Sequence, residues 1–497
     1  MINKNYFKNL ISSNRYLILF IALITSLTVF TNDHTAFLSV LLNCLSFFMP
    51  IYVLKFIHDK KSVDTYFSLP VSRKELLNTS LLFCLIVSYI PNAIGQVVCN
   101  VIYVDYSIPS LLIALLLELI VSCAIILFVS LIYTIANNIF DGIVIIGAYS
   151  LLPLALFIVV TMFFEVFVCG FNSNIEFDVF GYISPIYLGI LLQTRNLDVH
   201  NIVLNSNDFI YLFLIVGYIC LCYFGIFKYF LKMKTEKAGS SSNNFFAYPF
   251  VIYTYTFLCL FGISANYSLI YYGLLDFLEE FFIAYLIVFA LFIIAHFIYK
   301  RKFYLSFETT IFFVAAVVLS LFFCSCARTT KGFGISNLYE KANSSTRYVV
   351  YASDEKEISD YVSKKLNIGE TYTSINIEIG GKGNETDEYV INLVENYRKT
   401  AIEQFYSRTR TEYKNYMRLE VYNNYEELDD LLQYSNSYNY VLDNVIDLST
   451  LLELAKHDGV KIIISVYNGD YLLSKNGDLL LLNLYNSYED VIAYEGF

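Results

Sequence analysis

Apolar residues run almost unbroken through nine stretches of the chain, at 16–32, 36–54, 77–103, 110–136, 142–168, 209–229, 248–264, 281–299 and 306–325. A helix needs about 20 such residues to cross roughly 30 Å of hydrocarbon, so each stretch is read as a membrane span. The first is not a removable leader, because it lacks a small-residue cleavage site and further spans follow it. Beyond residue 326 the pattern changes. Tyr348–Tyr351, Tyr372–Ile379, Arg418–Val421 and Lys461–Tyr467 are rich in Val, Ile and Tyr and predict strands. The stretches 354–367, 386–408 and 424–434 repeat apolar residues at helical spacing. Asp470 and the Asn476-Gly477-Asp478 step predict tight turns in a final hairpin near 465–484. The expected fold is an α-helical polytopic membrane protein of about nine transmembrane helices, with a carboxyl-terminal α+β domain.

Charge orients these spans. Assigning the connecting segments to alternating sides places Lys4, Lys8, Arg15, Lys55, Lys60, Lys61, Arg73, Lys74, Lys228, Lys232, Lys234, Lys237, Lys300, Arg301 and Lys302 on one side. Up to residue 326 the other side holds only Arg195. The positive-inside bias puts the amino terminus in the cytoplasm, and an odd number of crossings puts everything after residue 326 outside. A further crossing within 265–280 would move that region to the other side. The expected location is therefore the cell membrane, with an extracytoplasmic carboxyl-terminal domain. The net charge of −11 arises almost wholly after residue 326, where 17 basic side chains face 27 acidic ones. An acidic region without a basic cluster argues against nucleic acid as a partner.

Composition excludes more chemistry than it suggests. All ten cysteines lie in or at the ends of spans, so the outer domain folds without disulfides. Cys324 and Cys326 sit at a span edge, but no neighbouring His or second Cys pair completes a metal site. His34, His58, His200, His296 and His457 are scattered. Gly380-Gly381-Lys382-Gly383 has the look of a phosphate loop. However, Asn376 stands where its first glycine should be, and no Ser or Thr follows Lys382. A glycine turn between strand and helix is the expectation there. No nucleophile has a base in sequence support, so the chain reads as non-catalytic, with no metal or cofactor of its own.

The segment from Lys55 to Leu76 is the most informative between spans. Ser62–Ser68 fits two helical turns, with Val63, Tyr66 and Phe67 on one face. Pro70 disfavours helix at Leu69. Ser72 followed by Glu75 is a capping-box pattern, so a new helix starts there and becomes the third span. The expected product is a short exposed helix with an aromatic face, able to pass force from a soluble partner into the spans. A helix lying passively among lipid headgroups is the alternative.

Val63-Asp64-Thr65-Tyr66-Phe67-Ser68-Leu69-Pro70-Val71-Ser72-Arg73 resembles the segment after the second span in permease subunits of the ABC type-2 export family of Gram-positive bacteria. Lys234-Thr235-Glu236-Lys237-Ala238-Gly239-Ser240-Ser241 resembles the segment after that family's sixth span. The resemblance covers about residues 1–245. It implies a six-span permease core at 1–235, with residues 2–14 (Ile2, Tyr6, Leu10 and Ile11 near one face) as an interfacial elbow helix. The region 236–326 would add three spans, and 327–497 the outer domain of an extended subgroup. The resemblance further implies pairing with a second permease subunit, identical or not, in the lipid membrane. It also implies a cytoplasmic ABC ATPase subunit carrying the ATP and Mg. Val63, Asp64, Tyr66, Phe67, Leu69, Pro70, Ser72 and Arg73 would form the coupling element, with Tyr66 and Phe67 as the ATPase contact. Ser184–Leu192, within 170–208, would fill the place of that family's re-entrant helices.

Two carboxylates fall inside spans, Glu118 in the fourth and Glu165 near the outer end of the fifth. Intramembrane carboxylates are costly and face a partner or a wet cavity, so both are candidates for a translocation path. Asp276, Glu279 and Glu280 predict an acidic rim at the start of the eighth span, and Tyr16, Tyr229 and Tyr299 read as interfacial anchors. Two classes of function remain. One is a permease exporting a hydrophobic or amphipathic compound, such as a drug, peptide or envelope precursor. The other is a membrane sensor whose outer domain binds a ligand and signals to a cytoplasmic partner.

Overall fold

A computed structural model describes residues 2–31, 34–103, 107–171, 182–194, 206–233, 236, 238–240, 244–266, 269, 274–300, 307–337, 347–352, 356–369, 372–380, 388–407, 416–423, 436–467 and 469–484. The helices before the sheet region are α1 (Lys4–Ser13), α2 (Arg15–Thr28), α3 (His34–Val53), α4 (Lys60–Phe67), α5 (Arg73–Tyr103), α6 (Ile108–Ile135), α7 (Ile139–Phe167), α8 (Pro185–Thr194), α9 (Ser206–Leu231), α10 (Tyr248–Ser264), α11 (Leu274–Lys300) and α12 (Phe307–Thr329). Among the described residues, seven are long and apolar enough to cross a membrane, namely α3, α5, α6, α7, α9, α11 and α12. This is the architecture of a polytopic helical membrane protein.

All nine expected spans fall on helices, but two of them are short. α2 has 14 residues, about 21 Å at 1.5 Å per residue, because the chain bends by 69° between α1 and α2. Asn14 sits at that bend, donating from Nδ2 to the Leu10 carbonyl and accepting from the Tyr52 hydroxyl. α10 has 17 residues. α11 begins at Leu274 rather than near 281, so Asp276, Glu279 and Glu280 are exposed positions within its first turns.

The chain divides into two compact units, and α7, α10, α11 and α12 contribute residues to both. The first unit comprises 1–158, 176–258 and 288–310. At its centre α6 packs against α3, α5, α8 and α9, burying Val121, Ile125, Val129 and Tyr133 of α6 with Phe83, Leu188, Ile215 and Phe230. Gly189 lets α8 approach α6: a Cβ there would lie 2.6 Å from a Val121 methyl. Helix α10 is tied to α7 by Tyr248 donating to Asp141 (3.0 Å) and Tyr255 donating to the Ala148 carbonyl (2.7 Å).

The second unit comprises 159–175, 259–287 and 311–497. Its carboxyl-terminal part is an antiparallel sheet of β1 (Arg347–Ala352), β2 (Ser374–Gly380), β3 (Tyr416–Asn423), β4 (Asn436–Asp443), β5 (Val460–Val466), β6 (Gly469–Leu473) and β7 (Leu479–Leu484), in the order β4-β3-β1-β2-β5-β6-β7. Alternation puts Val350, Ile377, Leu419, Leu442, Ile462 and Ile464 on one face. There they form one core with α13 (Lys356–Leu366), α14 (Glu388–Tyr406) and α15 (Leu448–Leu454). The opposite face carries Arg347 paired with Glu378 (2.9 Å) and Arg418 paired with Glu420 (2.5 Å). Strand β4 and helix α15 were not foreseen, and the expected helix at 424–434 lies outside the described residues. Asn376 is a β2 residue opposite Tyr351 and Ile463, and Gly380 closes that strand at φ 83°.

The end of α7 is stitched to this layer. Tyr406 donates to the Phe167 carbonyl, and the Cys169 amide donates to Ser336 Oγ (3.0 Å). Buried Arg398 donates to the Tyr440 hydroxyl (3.0 Å) and the Ser336 carbonyl (3.3 Å). Gly332 makes the turn there possible. It sits at φ 66°, and a Cβ would lie 2.6 Å from the Phe167 carbonyl oxygen. Gly334 has φ 80° but open space around it. Gly332→Ala is therefore expected to lower the thermal midpoint of the full chain clearly more than Gly334→Ala, since only the first adds a backbone clash to the conformational cost. Equal shifts in a melting experiment would show that the close approach contributes nothing.

Candidate functional site

Helix α4 lies between α3 and α5, joined to α3 by a 3-10 turn at Leu54–His58. Asp59 caps it, accepting from the Ser62 amide (3.1 Å) and the Ser62 hydroxyl (2.6 Å). The helix stops at Phe67, three residues before Pro70. The capping box forms as expected: Glu75 accepts from the Ser72 amide (3.2 Å), and the Glu75 amide donates to Ser72 Oγ (3.3 Å).

The helix is exposed along one side, while its aromatic face is only partly open to solvent. Val63 is fully buried, and Tyr66 and Phe67 are half-buried against the helical core. Tyr66 stacks on Phe56 at 4.3 Å and meets Tyr6 of α1 edge-on at 6.3 Å. Phe67 meets Phe230 of α9 edge-on at 6.0 Å. Arg73 lies over the Phe67 ring at 4.2 Å and donates to the carbonyls of Leu231 (3.2 Å) and Met233 (2.9 Å) at the end of α9. The physical reason is plain: α1 and the end of α9 supply apolar surface beside α4, and aromatic rings gain more by covering it than by facing water. Outward from α4 and its turn stand Lys60, Lys61, Asp64, Thr65, Ser68, Leu69, Pro70 and Ser72. Of the sequence-derived coupling residues, Val63, Tyr66, Phe67 and Arg73 are thus brought together as an anchor. Asp64, Leu69, Pro70 and Ser72 form the free surface.

The two hydrogen bonds from Ser62, side chain first, hold the Asp59 carboxyl below the usual carboxylate range. A lowered value means the cap is fully present above the ordinary carboxylate range and is lost as pH falls through the lowered one. The protection of the Ser62 and Val63 amides from deuterium exchange, taken relative to the intrinsic rate at each pH, is expected to fall on that acidification in the native chain and to stay constant in Asp59→Asn, which keeps an acceptor without a titrating charge. Protection that falls equally in both would place the pH dependence elsewhere.

Glu118 is 3% exposed in the first half of α6. Its carboxylate accepts from Ser39 of α3 (2.9 Å) and from Asn92 (3.2 Å) and Gln96 of α5. One turn along α3, Asn43 donates to Gln193 of α8 (2.7 Å). The residues around Glu118 were missed in sequence. The available signal was polar residues four apart inside apolar spans, Ser39 with Asn43 and Asn92 with Gln96. Glu165 is half-buried and belongs to the other unit.

Helix α1 buries Tyr6 and Leu10, while Ile2 and Ile11 are exposed. Ser184 and the following helix α8 lie against α6 and α9. In the segment after α9, the Gly239 amide donates to the Asn137 carbonyl (2.7 Å). Lys234, Thr235, Lys237 and Ser241 are outside the described residues. No group of three or more His, Cys, Asp or Glu suited to a metal occurs among the described residues. Compared with known proteins, the chain matches no family, no curated protein and no solved structure.

Proposed function

We propose that this chain is the membrane permease subunit of an ATP-driven ABC exporter, moving a hydrophobic or amphipathic compound outward. The observation that carries the reading is the mounting of α4. A short helix between two long apolar helices is clamped from behind by Val63, Tyr66–Phe56, Phe67–Phe230 and Arg73, and it leaves a charged outer face free. A rigid mounting is what a force-transmitting contact requires, because a loose loop would absorb the stroke. The bias of Lys and Arg toward the side of α4 supports a cytoplasmic position for it. The bent pair α1–α2 supports an elbow lying along the membrane surface. ATP and Mg would sit on a separate cytoplasmic ATPase subunit, a second permease subunit would complete the path, and the carboxyl-terminal α+β region would lie outside the cell membrane.

The test is reconstitution of the full chain in lipid nanodiscs with its candidate ATPase. The permease reading predicts that the chain binds the ATPase and raises its ATP hydrolysis. The sensor reading predicts ligand binding at the outer domain with no change in ATP turnover, and that result would replace the proposal.

A further inference from the structure

We propose that Glu118 is a reversible proton-binding site in the helical bundle, its charged and neutral forms both held by Ser39, Asn92 and Gln96. The inference does not depend on the ATPase partner.

Three features of the geometry carry it. First, the carboxylate accepts three hydrogen bonds, from Ser39 Oγ, Asn92 Nδ2 and Gln96 Nε2, an arrangement suited to the charged form. Second, all four side chains are at least nine-tenths buried, and no Lys, Arg or His pairs with Glu118 among the described residues. A buried anion without a counter-charge is costly in an apolar bundle, and taking up a proton removes that cost. Third, Asn92 Oδ1 and Gln96 Oε1 are buried and accept no hydrogen bond. A half-turn of the Gln96 carboxamide exchanges two atoms of nearly equal size. It brings Oε1 to Glu118, where it accepts the acid's O–H. The neutral form therefore finds a partner without any movement of the helices.

The step is simple to balance. A hydronium ion of the bulk gives its proton to one carboxylate oxygen and becomes water, the carboxylate becomes a carboxylic acid, and the Gln96 amide turns from donor to acceptor. Of the helices packed on α6, α3 presents Ser39 and α5 presents Tyr89, Asn92 and Gln96. Tyr89 is the titratable group among these, and its hydroxyl is committed to the Leu115 carbonyl at 2.9 Å. Neither α8 nor α9 brings a charged side chain into contact with Glu118 among the described residues.

Infrared difference spectroscopy on the full chain in lipid nanodiscs tests this, with buffers stepped upward from about pH 5 to 9. The wild type is expected to show the carbonyl stretch of a protonated carboxylic acid that disappears reversibly on alkalinisation. The band should be absent in Glu118→Gln and displaced in Glu118→Asp. No such band in the wild type between about pH 5 and 9 would overturn the proposal. So would a band retained in Glu118→Gln, or one that moves when sodium replaces potassium at constant pH. Glu118→Gln mimics the neutral form, so its failure to fold while the wild type folds would show that the anion is required and would equally overturn it.

Discussion

Asp64→Arg combined with Leu69→Glu is expected to reduce stimulation of the ATPase at least tenfold while leaving the fold intact. Both side chains stand outward on the α4 segment, and Leu69 is 36% exposed. The backbone there is held by its own hydrogen bonds, Ser68 to Asp64 at 3.0 Å and Leu69 to Tyr66 at 3.4 Å. Exposed substitutions away from packing or caps usually change stability by no more than about 0.5 kcal/mol. At the centre of a protein interface the same changes cost far more, because a reversed charge and a buried carboxylate each leave unpaired groups. A tenfold loss corresponds to about 1.4 kcal/mol. Hydrolysis measured in nanodiscs, alongside a thermal melt of the same samples, separates the two. Unchanged stimulation would mean that α4 does not touch the ATPase.

Tyr66→Ala with Phe67→Ala is expected to act through stability instead. Truncating a fully buried aromatic costs about 3–5 kcal/mol, so two half-buried rings should cost together about 3–5 kcal/mol. They contact different partners, Phe56 and Tyr6 for one and Phe230 and Arg73 for the other, but as chain neighbours on one short helix their effects should couple rather than simply add. The double variant should melt at clearly lower temperature and expose the α4 segment to protease. Tyr66→Phe with Phe67→Leu should restore most of both. A double alanine variant as stable and protected as the wild type would show that the rings do not clamp α4.

The contrast between these pairs marks what sequence carries. Hydropathy located the seven helices long and apolar enough to cross a membrane among the described residues, because lipid demands unbroken apolar helices and tolerates few exceptions. The Ser72–Glu75 box was legible because its two hydrogen bonds are local. Periodicity placed Val63, Tyr66 and Phe67 on one face, but a face has no label saying what lies opposite. Phe230 and Tyr6 are far away in sequence, and only the fold brings them there. Strand β4 was missed for a related reason. Its Asn, Ser and Asp residues have little strand preference of their own, and it becomes a strand by pairing along β3 with Tyr440 and Leu442 turned to the core. Glu118 itself was visible as a charge in an apolar run. Its partners Ser39, Asn92 and Gln96 come from two other helices and became a site only through packing.

If α4 docks a cytoplasmic ATP-hydrolysing subunit, as proposed, a probe on its outer face must reach that subunit. Thr65 is exposed on that helix, and its hydroxyl donates to the Lys61 carbonyl of its own turn. A photo-crosslinking residue in its place, activated in intact cells, is therefore the most direct measurement. The expected product is an adduct with a protein carrying an ATP-binding P-loop, formed on the cytoplasmic side and lost in the Asp64→Arg, Leu69→Glu background. Adducts with lipid alone, or labelling of this position by a membrane-impermeant reagent from outside, would contradict it.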